Sequence, residues 1–140
     1  MAEINIREVN EIDDTIGSFI RNEFSWYGKQ HGIILDYSEF CFVAENRDES
    51  LAGVITGKAY YNEVHIQDLV VNKDCRGNGI GSRLVETVED HYRNKGFRFV
   101  TLTTFEFQAP EFYKKLGYTV EFIRKTDNQL LNKYFFRKDL

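Results

Sequence analysis

The stretch HIQDLVVNKDCRGNGIGSRLVETVEDHYRNKG, from His65 to Gly96, decides the fold. An apolar strand pattern ends at Leu69-Val70-Val71, and a polar turn follows. An amphipathic helix begins at the alternating glycines Gly77, Gly79 and Gly81. Glycines allow a tight turn and a close approach of the backbone to a ligand. The first amides of a helix have no partner within the helix and carry the positive end of its dipole. This arrangement therefore predicts a phosphate-binding turn, with Arg76 as a fixed positive charge beside it.

Spacing separates this turn from two other phosphate-binding turns. The P-loop requires Lys and then Ser or Thr after its last glycine, whereas Ser82-Arg83 follows here. The dinucleotide fingerprint requires a glycine where Ser82 stands and an acid at the end of the next strand, which residues 97–103 lack. A third alternative, a tight strand-to-helix connection without a ligand, stays open at this point.

The rest of the chain predicts alternating strands and helices around this unit. Strands are expected at residues 4–9, 40–45, 51–61, 64–71, 97–103, 119–124 and 133–138, and helices at residues 11–24, 81–95 and 110–115. Residues 25–39 are expected to be irregular or partly helical. The order β-α-β-β-β-α-β-α-β-β predicts an α/β fold with a mixed sheet and helices on its faces. We expect residues 1–140 to form a single domain.

Composition excludes several classes of function. The net charge of −4 argues against nucleic acid, which favours clustered Lys and Arg. The two cysteines, Cys41 and Cys75, form neither a metal-binding nor a disulfide pattern, so no metal is expected. No apolar run approaches membrane-spanning length, and the first ten residues, MAEINIREVN, contain spread charges rather than the apolar stretch of a secretory signal. We therefore expect a cytoplasmic protein with no membrane partner, and we leave open whether it is a homodimer.

Two signatures resemble those of the GNAT superfamily of acetyl-CoA-dependent N-acetyltransferases. Arg76-x-x-Gly79-x-Gly81 is similar to the R/Q-x-x-G-x-G/A signature of that family. FQAPEFYKKLGY, from Phe107 to Tyr118, resembles its second signature, an alanine followed by an aromatic-Tyr pair and a closing Gly-aromatic. The resemblance implies a mostly antiparallel sheet that is splayed between its fourth and fifth strands, with helices on both faces. It is specific from Val64 to Tyr118 and weaker over the first forty residues, where family members diverge to choose substrates.

By this resemblance, acetyl-CoA is the cosubstrate. Backbone amides of the turn would hold its pyrophosphate, and the end of the preceding strand would hydrogen-bond its pantetheine arm and polarise its thioester carbonyl. The residues that this implies are Leu69, Val70, Val71, Arg76, Gly77, Asn78, Gly79, Ile80, Gly81 and Ser82. Glu106 stands near the position where many members carry a CoA-contacting Asn, a departure that puts this one contact in doubt.

Three residues are candidates for catalysis, Tyr113 and Glu63 by the resemblance and His65 by its position on the strand. Tyr113 stands where many members carry the phenol that protonates the departing thiolate, and a core aromatic beside Phe112 is the alternative. Glu63 heads the strand on which some members place a glutamate base, and a solvated turn residue is the alternative. His65 follows on the same strand face and is a second candidate base, with a hydrogen-bonded structural histidine as its alternative. We expect direct transfer with no acyl-enzyme.

The acceptor is expected to be a small cationic amine, of the aminoglycoside, streptothricin or polyamine kind. The aromatic residues Trp26, Tyr27, Tyr37, Tyr60 and Tyr61 are candidates to line its pocket, although ordinary packing explains each of them as well. Two alternatives remain: an acetyltransferase for protein lysines or N-termini, and a non-catalytic acyl-CoA-binding domain.

Overall fold

A computed structural model describes residues 3–140. By their internal contacts these residues form two compact units, a smaller one that ends at Leu35 and a larger one from Asp36 to Leu140. None of the described helices is long and apolar enough to cross a membrane. The expectation of a single domain stays a prediction.

The smaller unit contains helix α1, Asp14–Gln30. Asp13 caps its first turn, since the Asp13 carboxylate accepts a 2.9 Å hydrogen bond from the Ile16 amide. The predicted helix is confirmed, and it continues six residues into the stretch expected to be irregular or partly helical. The predicted strand over residues 4–9 is wrong. Its apolar alternation is present, but a strand also needs a neighbour for its backbone groups, and these residues join no ladder.

The larger unit is built on one six-stranded sheet with strand order β1-β2-β3-β4-β6-β5. The strands are β1 Tyr37–Glu45, β2 Leu51–Tyr60, β3 Glu63–Val71, β4 Phe99–Phe105, β5 Thr119–Arg124 and β6 Lys133–Asp139. Two helices complete the unit, α2 Ile80–Arg93 and α3 Pro110–Lys115. All neighbouring strands are antiparallel except β3 and β4, which are parallel. The mixed, mostly antiparallel sheet predicted from the sequence is confirmed.

A single apolar core lies between the sheet and helices α2 and α3. The apolar α2 side chains of Leu84, Val85, Val88 and Tyr92 are buried in it, and Ile80 is partly buried against it. Tyr113 of α3 and Phe136 of β6 belong to the same cluster, so α2 and α3 pack on the same side of this sheet. The loops that connect the sheet to these helices therefore meet near one edge of the core.

The sheet opens between β3 and β4, as predicted; these were the fourth and fifth strands while residues 4–9 were counted as the first. These strands pair over only three positions, from Glu63 opposite Phe99 to His65 opposite Thr101. Beyond that rung the strands part. On the other side of β3, the register against β2 shifts so that Gln67 is an extra residue, which makes it a β-bulge.

The bulge reverses the alternation of side chains along β3. Asp68 pairs with Thr56 and His65 pairs with Lys58, and these two β2 residues point to the same face because they are two apart. Asp68 therefore lies on the face of His65, whereas Leu69 and Val71 join the core face of Val64.

A buried polar network ties α2 to β6. The Glu89 carboxylate is 4% exposed, accepts a 2.8 Å hydrogen bond from the Tyr118 hydroxyl and lies 3.1 Å from Lys138 Nζ. The Lys138 ammonium also donates to the Leu116 carbonyl oxygen at 2.8 Å. This network links the end of α3 to α2 and to the last strand.

We expect Glu89→Gln to lower the free energy of unfolding by about 1.5 kcal/mol, because an amide keeps one hydrogen bond but not the charge opposite Lys138. Urea denaturation monitored by circular dichroism measures the effect. Glu86→Gln, on the exposed face of the same helix, is the control and should change stability by less than about 0.5 kcal/mol. Equal effects of the two substitutions would contradict a structural role for the network.

Candidate active site

The amino end of α2 presents free backbone amides. Gly79 precedes the helix with φ 74°, in the left-handed region that favours glycine, and offers no side-chain cap. The first helical hydrogen bond runs from the Arg83 amide to the Gly79 carbonyl. The amides of Ile80, Gly81 and Ser82 thus have no partner within the helix. The first turn contains no acidic side chain that could compete with an anion.

Side chains hold the turn before α2 in place. Arg76 Nε donates to the Val71 carbonyl oxygen at 3.2 Å, which folds the arginine back onto the end of β3. Asn78 Nδ2 donates to the Cys75 carbonyl oxygen at 3.2 Å. The turn therefore fits a bound anion through its backbone, with Arg76 as a positive charge beside it.

A groove of about 440 Å³ runs from this turn to α3. At its narrow point a Cβ on Gly81 would come within 3.2 Å of Phe112 Cζ, so glycine at that position lets α3 approach α2. At Gly77 and Gly79, by contrast, a Cβ would meet no protein atom within 4 Å. The space beside both residues is thus free for a ligand that lies against the backbone.

Most residues that the sequence predicts for the cofactor line this groove: Leu69, Val71, Arg76, Gly77, Gly79, Ile80, Gly81 and Ser82. Val70 and Asn78 do not line it. Three lining residues were missed, Cys75, Ala109 and Phe112. Ala109 and Phe112 belong to the second signature beside Tyr113, and this signal could have assigned them to the cofactor as well.

The backbone of β3 borders the gap beside the groove. Beyond His65 the edge of β3 that faces β4 has no ladder partner in the described part of the chain. A ligand with amide groups can pair with such an edge as an added strand. This geometry fits the role that the resemblance implies for Leu69, Val70 and Val71.

Tyr113 combines core packing with access to the groove. Its side chain is 7% exposed and packs edge-on against Phe112 and Tyr118, yet it also lines the groove. Burial raises the pKa of Tyr113 to about 12. The phenol thus keeps its proton throughout the physiological range. It is a weaker acid than the reference tyrosine, and it can act through a hydrogen bond that strengthens as charge develops on sulfur.

Glu63 and His65 meet at the base of the gap rather than in the groove. Thr101 Oγ1 donates to Glu63 Oε2 at 2.5 Å and lies 2.9 Å from His65 Nδ1. Burial lowers the pKa of His65, the Glu63 carboxylate opposes this, and Lys58 adds to the lowering. The imidazole is therefore neutral at pH 7 and able to accept a proton. The structure brings both predicted base candidates together through Thr101, which the sequence did not single out.

Other predicted residues lie outside the groove. Glu106 follows β4, where hydrogen bonding to its carboxylate raises the pKa of Tyr134. Within residues 3–140, Glu106 Oε2 is the one buried side-chain oxygen or nitrogen without a partner. Tyr37 and Tyr60 stack across β1 and β2 with ring centroids 6.5 Å apart, and Tyr61 packs edge-on against Tyr60. Trp26 and Tyr27 belong to α1. An aromatic amine pocket stays a prediction.

Comparison with known proteins identifies the family to which this fold belongs. The family model described as Acetyltransferase (GNAT) family matches residues 6–118. An uncharacterized N-acetyltransferase of Methanocaldococcus jannaschii is 33% identical over 98 residues, which cover 68% of this chain and 58% of that protein. The blasticidin-S acetyltransferase of Streptomyces morookaense is 38% identical over 69 residues, 49% of this chain and 51% of that protein. The chain thus spans about half the length of these two relatives.

A solved structure extends the similarity to nearly the whole chain. The crystal structure of an acetyltransferase from Bacillus cereus is 31% identical, with a TM-score of 0.76 over 96% of this chain and 98% of that one. The fold, the glycine turn and the helix that carries Tyr113 therefore occur together here, as the sequence predicted.

Proposed function

The chain belongs to the GNAT family of acetyltransferases, and from that premise we propose that it transfers an acetyl group from acetyl-CoA to the primary amine of a small cationic molecule. One observation carries the proposal. The free amides that begin α2 and the phenol of Tyr113 line the same groove. A phosphate-binding turn and a proton donor to a leaving group are what an acyl-CoA thioester requires at its two ends.

In this proposal the chain binds acetyl-CoA through its backbone. The amides of Ile80, Gly81 and Ser82 hold the pyrophosphate, with Arg76 beside it. The free edge of β3 pairs with the pantetheine arm, and its amides polarise the thioester carbonyl. The family membership supports this assignment, as does the free space beside Gly77 and Gly79.

The proposed reaction is a direct transfer. The amine nitrogen forms a bond to the thioester carbon while the carbon–sulfur bond breaks, and Tyr113 hydrogen-bonds the departing thiolate and gives it a proton. No nucleophilic side chain is required. Cys75 lines the groove, but no histidine lies among the residues that line it.

We infer the acceptor class from charge. Glu63, Asp68 and Glu39 lie on the same face of the sheet as His65, since Glu39 pairs with Lys58 as His65 does. With a net charge of −4, these acids favour a cation at modest ionic strength. The relative that acetylates blasticidin S gives independent support for a small-molecule acceptor.

We expect the best small amine to have a higher kcat/KM than any peptide, and this ratio to fall as salt rises because screening weakens charge steering. The rate should climb between about pH 7 and pH 9, because the free alkylamine has a pKa of about 10. Polyamines, aminoglycosides, basic nucleoside-like amines and amino acids are screened with acetyl-CoA, and release of free CoA thiol is measured. N-acetyl ethanolamine, which has no free amine, is the control.

Three other outcomes are informative. Acetylation of a protein in lysate, with no activity on small amines, would replace the acceptor class with a protein amine. Binding of acetyl-CoA without turnover on any acceptor would favour a non-catalytic acyl-CoA-binding domain. Absence of acetyl-CoA binding would overturn the proposal itself.

We also propose that the protein is cytoplasmic. Both cysteines are free thiols, which supports the cytoplasmic location expected from the sequence. A homodimer stays an open expectation that native mass spectrometry would test.

A further inference from the structure

We propose that Thr101 is a positioning residue that holds His65 as the Nδ1–H tautomer, so that its Nε2 atom takes the proton of the acceptor ammonium. The inference rests on the proposed acetyl transfer and deepens it. It assigns the base among two candidates, Glu63 and His65, and gives the other a supporting role.

The direction of the hydrogen bonds follows from the number of protons. A threonine hydroxyl has one proton to donate, and a carboxylate can only accept. Thr101 Oγ1 lies 2.5 Å from Glu63 Oε2, so its proton points to the carboxylate. Its oxygen then faces His65 Nδ1 at 2.9 Å as an acceptor, and the imidazole must donate. A neutral imidazole with its proton on Nδ1 has a bare lone pair on Nε2.

The three hydrogen-bonded residues Glu63, Thr101 and His65 are well placed for proton removal. His65 and Thr101 form the last rung of β3 and β4 before the strands part, so the imidazole stands at the base of the gap. Neighbouring strands also place charged groups on this face. Lys58 on β2 pairs with His65, Glu63 and Asp68 lie along β3, and Arg137 on β6 pairs with Thr101.

These charges act in opposite directions on the imidazole. Burial and Lys58 favour the neutral form, which is the form that can accept a proton. Glu63 stabilises the imidazolium once it forms, and the bridging hydroxyl carries this interaction from Oε2 to Nδ1. The ion is therefore formed opposite a carboxylate already aligned with it.

The protons of the reaction balance. His65 Nε2 takes one proton from the bound ammonium and later releases it to water. The free amine then attacks, forming the nitrogen–carbon bond as the carbon–sulfur bond breaks. The attacking nitrogen loses its second proton to water in this step, and the thiolate gains a proton from Tyr113, whose own proton is replaced from solvent.

The tautomer is measured directly in the free protein by ¹⁵N NMR of the histidine rings at pH 7.5. We expect the Nδ1 of His65 to show a protonated, pyrrole-type shift and its Nε2 a bare, pyridine-type shift. The chain has three histidines, and the ring signals that disappear in His65→Gln are those of His65. In Thr101→Val the Nε2–H form should gain population, and Thr101→Ser should restore the wild-type pattern. A wild-type imidazole protonated on Nε2, or a tautomer unmoved by Thr101→Val, overturns the proposal.

Kinetics with the identified amine provide the second test. Thr101→Val should lower kcat/KM for the acceptor roughly tenfold and shift the acidic limb of its pH profile, with KM for acetyl-CoA unchanged. Thr101→Ser should stay near wild type. Thr103→Val, two residues along on the same strand face and exposed, is the matched control. An equal loss in the Thr103 variant would overturn the positioning role.

The two tests separate this inference from the proposed function. An absence of acetyl transfer with any amine overturns the proposed function, and the ring spectra still report whether Thr101 sets the tautomer. If the protein turns over normally while His65 carries its proton on Nε2, the positioning role of Thr101 is overturned and the proposed acetyl transfer stands.

Discussion

Gly79→Val is expected to reduce the affinity for acetyl-CoA at least a hundredfold while the domain remains folded. Gly79 has φ 74°, and a β-branched residue there is strained by about 1–3 kcal/mol. Apart from its two chain neighbours, no residue has an atom within 4 Å of the added Cβ, so the free protein gains no clash beyond this backbone strain. The valine side chain would instead occupy the space beside the free amides of α2, where the pyrophosphate is proposed to lie. Isothermal titration calorimetry measures the loss.

Gly96→Val is a matched control for this substitution. Gly96 has φ 85°, its Cβ would also meet no atom within 4 Å, and it follows the opposite end of the same helix. The two variants therefore carry similar backbone strain, but only one has it at the proposed cofactor site. An unchanged affinity in Gly79→Val, or an equal loss in Gly96→Val, would contradict the placement of the pyrophosphate.

Tyr113→Phe is expected to lower kcat about a hundredfold or more, with little change in KM for acetyl-CoA. The substitution removes a hydroxyl that acts on the thiolate only as the carbon–sulfur bond breaks, so the transition state loses more than the ground state. Steady-state kinetics with a saturating amine measure the effect. Burial raises the pKa of Tyr113 to about 12. At any pH up to about 10, loss of the Tyr113 proton should therefore not reduce the wild-type rate.

Tyr92→Phe tests whether loss of a buried hydroxyl alone explains such a result. Tyr92 is 3% exposed and belongs to the same core cluster, but it does not line the groove. We expect this variant to keep wild-type turnover. If Tyr113→Phe also turned over normally, Tyr113 would be a packing residue, and the donor to the thiolate would have to be water.

Local patterns predicted those parts of the site that depend on the backbone. The glycines of the turn, the amphipathic face of α2 and the proline that begins α3 each act within a few residues, so the sequence carries them directly. Together they predict the turn that borders the groove and the helix that carries Tyr113. The failed strand at residues 4–9 shows the converse, because alternation does not supply the neighbouring strand on which pairing depends.

Features that depend on distant residues could not be predicted in this way. The bulge at Gln67 exists only relative to the register of β2, and it changes the face on which Asp68 lies. Thr101 is 36 residues from His65 and 38 from Glu63, and an ordinary strand threonine gives no signal of either contact. Glu89 and Tyr118 are 29 residues apart and meet only when α2 packs on the sheet.

The short pairing between β3 and β4 also bears on how the chain folds. Strands β1, β2 and β3 follow one another as hairpins, and β4, β5 and β6 come from a second continuous stretch of sequence. The β1–β2, β2–β3 and β5–β6 pairs close short loops. The three rungs between β3 and β4 join residues 36 apart, and the β4–β6 pairs join residues 28 to 40 apart. The three hairpins should thus form early, and the ladders of β4 should form late. The opening proposed to receive the ligand thus borders the strand that joins the sheet last, and β3–β4 is the shortest ladder among residues 3–140.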